Sequence, residues 1–259
     1  MPTSQQPLDA IPIPIFIVLF VLLTLACYEV GYRIGVRRHE RGETPDEGAM
    51  GVIVGAILGL MAFLLAVTMS MAGDRFDTRR GLVLQEANAI GTTYLRAGYL
   101  PEPASDQMRQ LLVEYIPLRI ATSNQLGANI ARSEELQREM WGIAQDVARE
   151  SGSDVVALFL ESLNETIDLH ESRIAAGLYA RVPPTILWLL IGGAVLSLGL
   201  VGYNAGMTAR RNPVIAGLLI VALGAVITIV VDLARPADGF ITTNQQPLID
   251  LQQSIESFP

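Results

Sequence analysis

The sequence predicts an all-α membrane protein: four transmembrane helices, with a helical-bundle soluble domain inserted between the second and the third. Three observations predict it. Four apolar runs lie near residues 13–36, 50–71, 184–203 and 214–231. At 1.5 Å per residue each is long enough to cross the roughly 30 Å hydrocarbon core of a bilayer. Between the second and third runs the chain is polar, with apolar residues at three- and four-residue steps, the period of an amphipathic helix. Strand alternation and two-residue hairpin signals are lacking over residues 101–181. The implied division is residues 1–73 for spans one and two, 74–183 for the soluble domain, 184–233 for spans three and four, and 234–259 for a docking tail.

Composition agrees with this class and excludes others. With 51% hydrophobic residues and a mean hydropathy of +0.39, the 259-residue chain is too apolar for an ordinary soluble domain and too short for a large transporter. A net charge of -8 argues against nucleic acid as a partner, because phosphate binding needs a basic field. All 18 basic residues are arginine, a bias that reads as genome composition rather than chemistry. The single Cys27 sits inside the first apolar run and forms no intrachain disulfide.

Residues 2–10 form a short polar leader. No basic residue precedes the first run, and that run is long enough to stay as a span, so it reads as an uncleaved helix. Pro12 and Pro14 open it, where a helix has no backbone partner to lose. Near its far end Glu29 and Arg33 stand at ion-pair spacing and can snorkel to the interface. Tyr28 and Tyr32 fit an interfacial belt. Residues 37–48 are a hydrophilic connection with Pro45 and Gly48 as breakers and a solvated His39.

The second run is the organising element. Residues 51–71 contain no ionisable group. Past them Phe76, Arg80, Val83, Leu84, Ala87, Ile90, Gly91, Tyr94 and Leu95 recur at helical steps, so one helix is expected to leave the lipid as an amphipathic rod. Within the span Gly51, Gly55 and Gly59 repeat every four residues and continue on the same register into Phe63 and Val67. Small residues at that spacing admit another helix closely. The same stripe in a ring of copies would put two apolar side chains toward a central path, as a hydrophobic constriction does. Periodicity is compatible with both.

Pro101 and Pro103 break the rod. Ser105 or a neighbour is expected to cap a helix with Met108, Leu111, Leu112, Tyr115 and Ile116 on one face, and Pro117 to kink or end it. Asn124 to Arg132 has loop character. Ser133 is expected to cap the next helix, with Leu136, Met140, Ile143, Ala144 and Val147 inward, and Ser151, Gly152 and Ser153 to punctuate the pattern. A last helix places Val155, Leu158, Phe159, Leu163 and Ile167 at core spacing. Its Glu161, Glu165, Asp168 and Glu171 make an acidic edge near His170. Asp168 and His170, two apart, point in different directions, so the edge reads as a solvated face and no metal ligands are assigned. No cofactor motif and no catalytic constellation is present, and an enzyme is not expected. Pro183 and Pro184 mark re-entry into lipid, and a basic turn at Arg210 and Arg211 joins the last two spans. The tail offers Phe240, Ile241, Leu248, Ile249 and Leu251 for docking.

The order of two spans, helical domain, two spans and tail resembles the bestrophin architecture. Residues 64–80, LLAVTMSMAGDRFDTRR, are similar to the end of the second bestrophin span: Leu64 and Leu65, small and polar residues, then the membrane-exit residues Asp74, Arg75, Phe76 and Arg80. With EANAIGTTYLRA and NQQPLIDL, the chain looks most like the bacterial bestrophin-like group known as domain of unknown function 4239. The resemblance implies a pentameric anion channel in the inner membrane whose apolar neck falls on Gly59, Phe63 and Val67, with membrane lipids and small anions as partners. This chain departs in two ways: Gly59 supplies no bulk to the neck, and Thr68, Met69 and Ser70 stand where the channels have an asparagine-rich patch. The acidic calcium clasp of animal bestrophins has no counterpart, so calcium gating is not expected. Arginines flanking the spans number six on each side, Arg33, Arg37, Arg38, Arg41, Arg210 and Arg211 against Arg75, Arg79, Arg80, Arg173, Arg181 and Arg235. The short loops pull one way under the positive-inside rule, while the resemblance puts the domain in the cytoplasm. Two functions follow: an oligomeric ion channel along span two, or a membrane-anchored scaffold or sensor whose helical domain binds a protein or small ligand.

Overall fold

In the computed structural model, which describes residues 8–43, 47–120, 126–235 and 239–257, every regular element among the described residues is helical. In chain order these are α1 (Ile13–Glu40), α2 (Glu47–Ala97), α3 (Ala104–Arg119), α4 (Leu126–Glu150), α5 (Asp154–Ile174), a π-helical turn (Ala175–Tyr179), α6 (Pro184–Met207), α7 (Pro213–Ala234) and α8 (Gln246–Glu256). Four helices are long and apolar enough to cross a membrane, and the apolar windows lie in α1, α2, α6 and α7. The chain is an all-α protein of the expected class. It divides into two compact units: residues 1–75, 181–235 and 239–241, and residues 76–180, 236–238 and 242–259.

The first unit is built on a backbone-to-backbone crossing. A Cβ added at Gly31 would strike the Gly199 carbonyl, one at Gly202 the Tyr28 carbonyl, one at Gly35 the Tyr203 carbonyl, and one at Gly206 the Tyr32 carbonyl. Only glycine permits this approach of α1 to α6, and in lipid such close packing replaces the hydrophobic drive that water supplies. α7 completes the packing with Ala216, Ile220, Leu223 and Ile227 buried. At one end of the unit arginines tie the helix ends together. Arg181, before α6, donates twice to the Asp9 carboxylate at 2.6 and 2.7 Å. Arg235, after α7, donates to the carbonyls of Leu8 and Ile11 at 2.6 and 2.7 Å. The buried Asp232 carboxylate accepts from the backbone N–H groups of Phe240 and Ile241, each at 2.9 Å. At the other end Glu29 takes both Arg33 and Arg211 at 2.9 Å, and Arg211 lies 4.7 Å from the Tyr32 ring centre.

The second unit is a helical bundle around Val83, Ala87 and Ile90 of α2, Met108, Leu112, Tyr115 and Ile116 of α3, Leu136, Met140 and Ala144 of α4, Phe159 and Leu163 of α5, and Leu248 of α8. α2 enters it without interruption at Gly73, as one 51-residue helix.

Several expectations change. α4 begins at Leu126, so residues 126–132 are helix rather than loop, and Ser133 lies inside it, buried, rather than capping it. From the end of that segment Arg132 pairs with Glu114, Glu135 and Glu139. Pro103, not Ser105, occupies the cap of α3 and makes no side-chain bond. Pro117 is accommodated in the final turn, which ends at Arg119. Ser153 does cap α5, accepting from Val156 N–H at 3.3 Å. On α5 the buried face is Val156, Phe159, Leu163, Thr166 and His170, while Val155 and Leu158 are exposed. Leu84 and Leu95 likewise point outward on α2. In the tail Leu248 docks and Leu251 packs beside it, but Phe240 and Ile241 remain exposed, contributing backbone rather than side chain. The leader through Pro7, the breaker Pro45, and Asn124 lie outside the described residues.

Candidate functional site

Two places in the molecule carry more than packing. The first is α2 within the membrane unit. Its buried residues are Met61, Leu65, Thr68 and Ala72, at steps of four, three and four, which is one face of a helix. Thr68 returns its hydroxyl to the Leu64 carbonyl at 2.7 Å, so this polar group brings no unsatisfied donor. Two residues along a helix turn about 200°. Gly59, Phe63 and Val67 therefore fall on the face opposite Met61 and Leu65, and all three are exposed, Phe63 at 64% and Val67 at 47%. Gly51 and Gly55 are exposed as well, and a Cβ added at either, or at Gly59, would meet no atom within 4 Å. The stripe expected to pack is thus bare within one chain, and the close glycine contacts belong to α1 and α6 instead. Only 11% of the most apolar stretch of α2 is buried, against 28% to 39% for the other spans, so α2 is the span with most of its surface left to something outside the chain. Of the membrane-exit residues, Asp74 and Arg80 are exposed, and Arg75 and Phe76 half-buried.

The second place is a polar cluster inside the helical bundle that sequence reasoning missed. Glu86 of α2 is wholly buried. Its carboxylate takes Arg119 Nε from the end of α3 at 2.8 Å on one oxygen and Arg173 Nη1 from α5 on the other. Arg173 also donates to Gln245 Oε1, just ahead of α8, at 3.2 Å, so one carboxylate and two guanidinium groups join four helices or their ends. Burying such charges is tolerable only when each finds its partner. Next to it, the Tyr115 hydroxyl accepts from Gln137 Nε2 at 3.0 Å and lies 3.2 Å from His170 Nδ1. Thr93 and Thr166 hydroxyls meet at 3.0 Å nearby.

Burial lowers the pKa of His170 to about 3, helped by the positive charges of Arg119 and Arg173, so the imidazole is neutral at ordinary pH. Burial also raises the Tyr115 hydroxyl well above its usual value. His170 is therefore no member of a solvated edge. Glu161, Glu165, Asp168 and Glu171 are exposed as expected, whereas His170 turns into the core. A signal for this cluster did exist in the sequence. Glu86 stands three residues after Val83 and four before Ile90, on the apolar stripe, and Phe159, Leu163, Thr166, His170 and Arg173 follow one another at steps of four, three, four and three. A charge placed on a core-facing stripe announces a buried partner.

Solved structures that share this fold include bacterial bestrophin homologs. A point-mutated bacterial bestrophin homolog from Klebsiella pneumoniae aligns over 93% of this chain and 96% of its own at 17% identity, with a TM-score of 0.68. Another structure of a Klebsiella pneumoniae bestrophin homolog aligns over 93% and 94% at 17% identity, with a TM-score of 0.64. At that identity the likeness is one of fold. No curated protein matches the chain in sequence. Residues 18–248, from within α1 to the start of α8, match the sequence profile of the Bestrophin-like domain. With nearly its whole length matched and its four spans and bundle in the expected order, the chain belongs to the bestrophin-like family of membrane proteins.

Proposed function

We propose that copies of this chain gather around a common axis into a homo-oligomer, a pentamer by its resemblance to bestrophins, which conducts small ions, anions by the same resemblance, along its α2 helices. The observation that carries this reading is the bare apolar face of α2. Gly59, Phe63 and Val67 lie exposed on the face of α2 opposite its buried residues, as a path shared among copies requires. Gly51 and Gly55 leave room for neighbouring copies to approach, and Phe63 and Val67 form the apolar constriction, which passes ions only when wetted. Asp74, Arg75, Phe76 and Arg80 follow where the helix leaves the lipid. The protein acts as a conduit and not as an enzyme, sits in the inner membrane, and holds its helical bundle in the cytoplasm.

Purified protein reconstituted in planar bilayers tests this. The account expects chloride current, and a conductance raised by about twofold or more in Phe63→Ala, because truncating an apolar constriction widens it and eases wetting. Silence across chloride, nitrate and potassium salts would refute it and favour a membrane-anchored scaffold whose α2 stripe is dry.

A further inference from the structure

The bundle brings together three metal-ligating groups that lie apart in sequence. One carboxylate oxygen each of Glu134 on α4 and Glu171 on α5, and a ring nitrogen of His170 on α5, lie within 4.8 Å of one another. Two features separate this cluster from an ordinary acidic surface. His170 is fully buried, and its Nε2 has no hydrogen-bond partner, a condition that costs free energy unless something occupies the atom's lone pair or proton. The two carboxylates meanwhile converge with no ion pair of their own among the described residues: Arg132 and Arg173 bind other carboxylates, and Arg138 donates to the Glu134 backbone carbonyl rather than to its side chain. Like charges drawn together without a cation repel.

We propose that Glu134, His170 and Glu171 bind a divalent transition-metal ion of the zinc type, with His170 Nε2 and one oxygen from each glutamate as ligands and water completing the shell. One imidazole with two carboxylates is a donor set that suits zinc or cobalt and leaves an open position. The surroundings already hold the ring. For Nε2 to present its lone pair, Nδ1 must carry the proton and donate it to the Tyr115 hydroxyl 3.2 Å away. The Tyr115 oxygen then accepts from both His170 Nδ1–H and Gln137 Nε2–H, the latter at 3.0 Å. A ligating histidine whose second nitrogen donates to a fixed neighbour is the usual outer-shell arrangement of metal sites. Glu86 offsets one of the two positive charges of Arg119 and Arg173 beside the ring, and the carboxylates of Glu134 and Glu171 outweigh the one that remains. The ion would pin α4 to α5, the two helices that bear its ligands.

The full-length protein in detergent, stripped with chelator, tests the site by titration with zinc chloride and, separately, cobalt chloride. One ion per chain is expected, with a melting temperature that rises saturably and visible cobalt absorption of nitrogen and oxygen ligands. Glu134→Gln and Glu171→Gln remove exposed carboxylates, so both variants fold, and each should weaken zinc at least tenfold. Glu161→Gln and Glu165→Gln, on the same acidic edge but outside the cluster, should bind as the parent does. No binding, or binding that the Glu134→Gln and Glu171→Gln pair leaves unchanged, would overturn the assignment.

Discussion

Glu86 is the residue on which the helical bundle is most exposed to a single change. Its carboxylate is shared by Arg119 and Arg173, both largely out of water. Glu86→Gln would keep the shape but leave two guanidinium groups facing a neutral amide. Removing one partner from a buried ionic cluster costs about 3 to 5 kcal/mol, so the variant should melt well below the parent by circular dichroism. An unchanged melting curve would mean that water reaches the cluster. At this scale the sequence was half legible. Met108, Leu112, Leu136, Met140, Phe159 and Leu163 could be assigned to the core because apolar residues at helical spacing have one place to go. Glu86, Arg119 and His170 could not be paired: a charge on an apolar stripe announces a buried partner, but only the fold says which residue of which helix answers it. Missing them also rotated the expected face of α5 by one residue, toward Val155 and Leu158 instead of Val156, Thr166 and His170.

At the scale of elements, the helices themselves were readable from period and punctuation: Pro12 and Pro14 at the start of α1, the glycine and serines before α5, and Pro183 and Pro184 before α6. Glycine was harder, since a small residue every fourth position is the same signal whether the partner lies in the same chain or in another. Gly31 and Gly35, with Gly199, Gly202 and Gly206, carry the crossing of α1 and α6, while a Cβ added at Gly51, Gly55 or Gly59 would meet open space among the described residues. Gly31→Ala should therefore destabilise the membrane unit by about 1 to 3 kcal/mol, since the new methyl meets backbone that cannot move aside. Gly142→Ala on the surface of α4 should instead leave the protein unchanged or gain up to about 1 kcal/mol from helix propensity. Thermal unfolding of both variants in detergent checks the contrast, and a Gly31→Ala protein as stable as the parent would show that α1 and α6 are less closely packed than described.

For the whole molecule, span order and the division into membrane helices and soluble bundle followed from composition alone, because oil and water sort residues coarsely. Orientation did not, and the reason is physical. The positive-inside rule counts basic residues near the span ends, with acidic neighbours contributing little, and here six arginines flank the spans on each side. Assembly was likewise beyond a single chain, except through what the chain leaves uncovered. The long α2 helix buries one face within its own chain and leaves Gly59, Phe63 and Val67 exposed. The most direct test of that assignment is modification during conduction. In a Cys27→Ser background, bilayer current through Phe63→Cys and Val67→Cys channels is followed while a water-soluble, charged thiol reagent is added. The account predicts that current through both changes promptly and irreversibly, while Leu65→Cys on the opposite face is unaffected. Current that responds at Leu65→Cys but not at Phe63→Cys or Val67→Cys would contradict it.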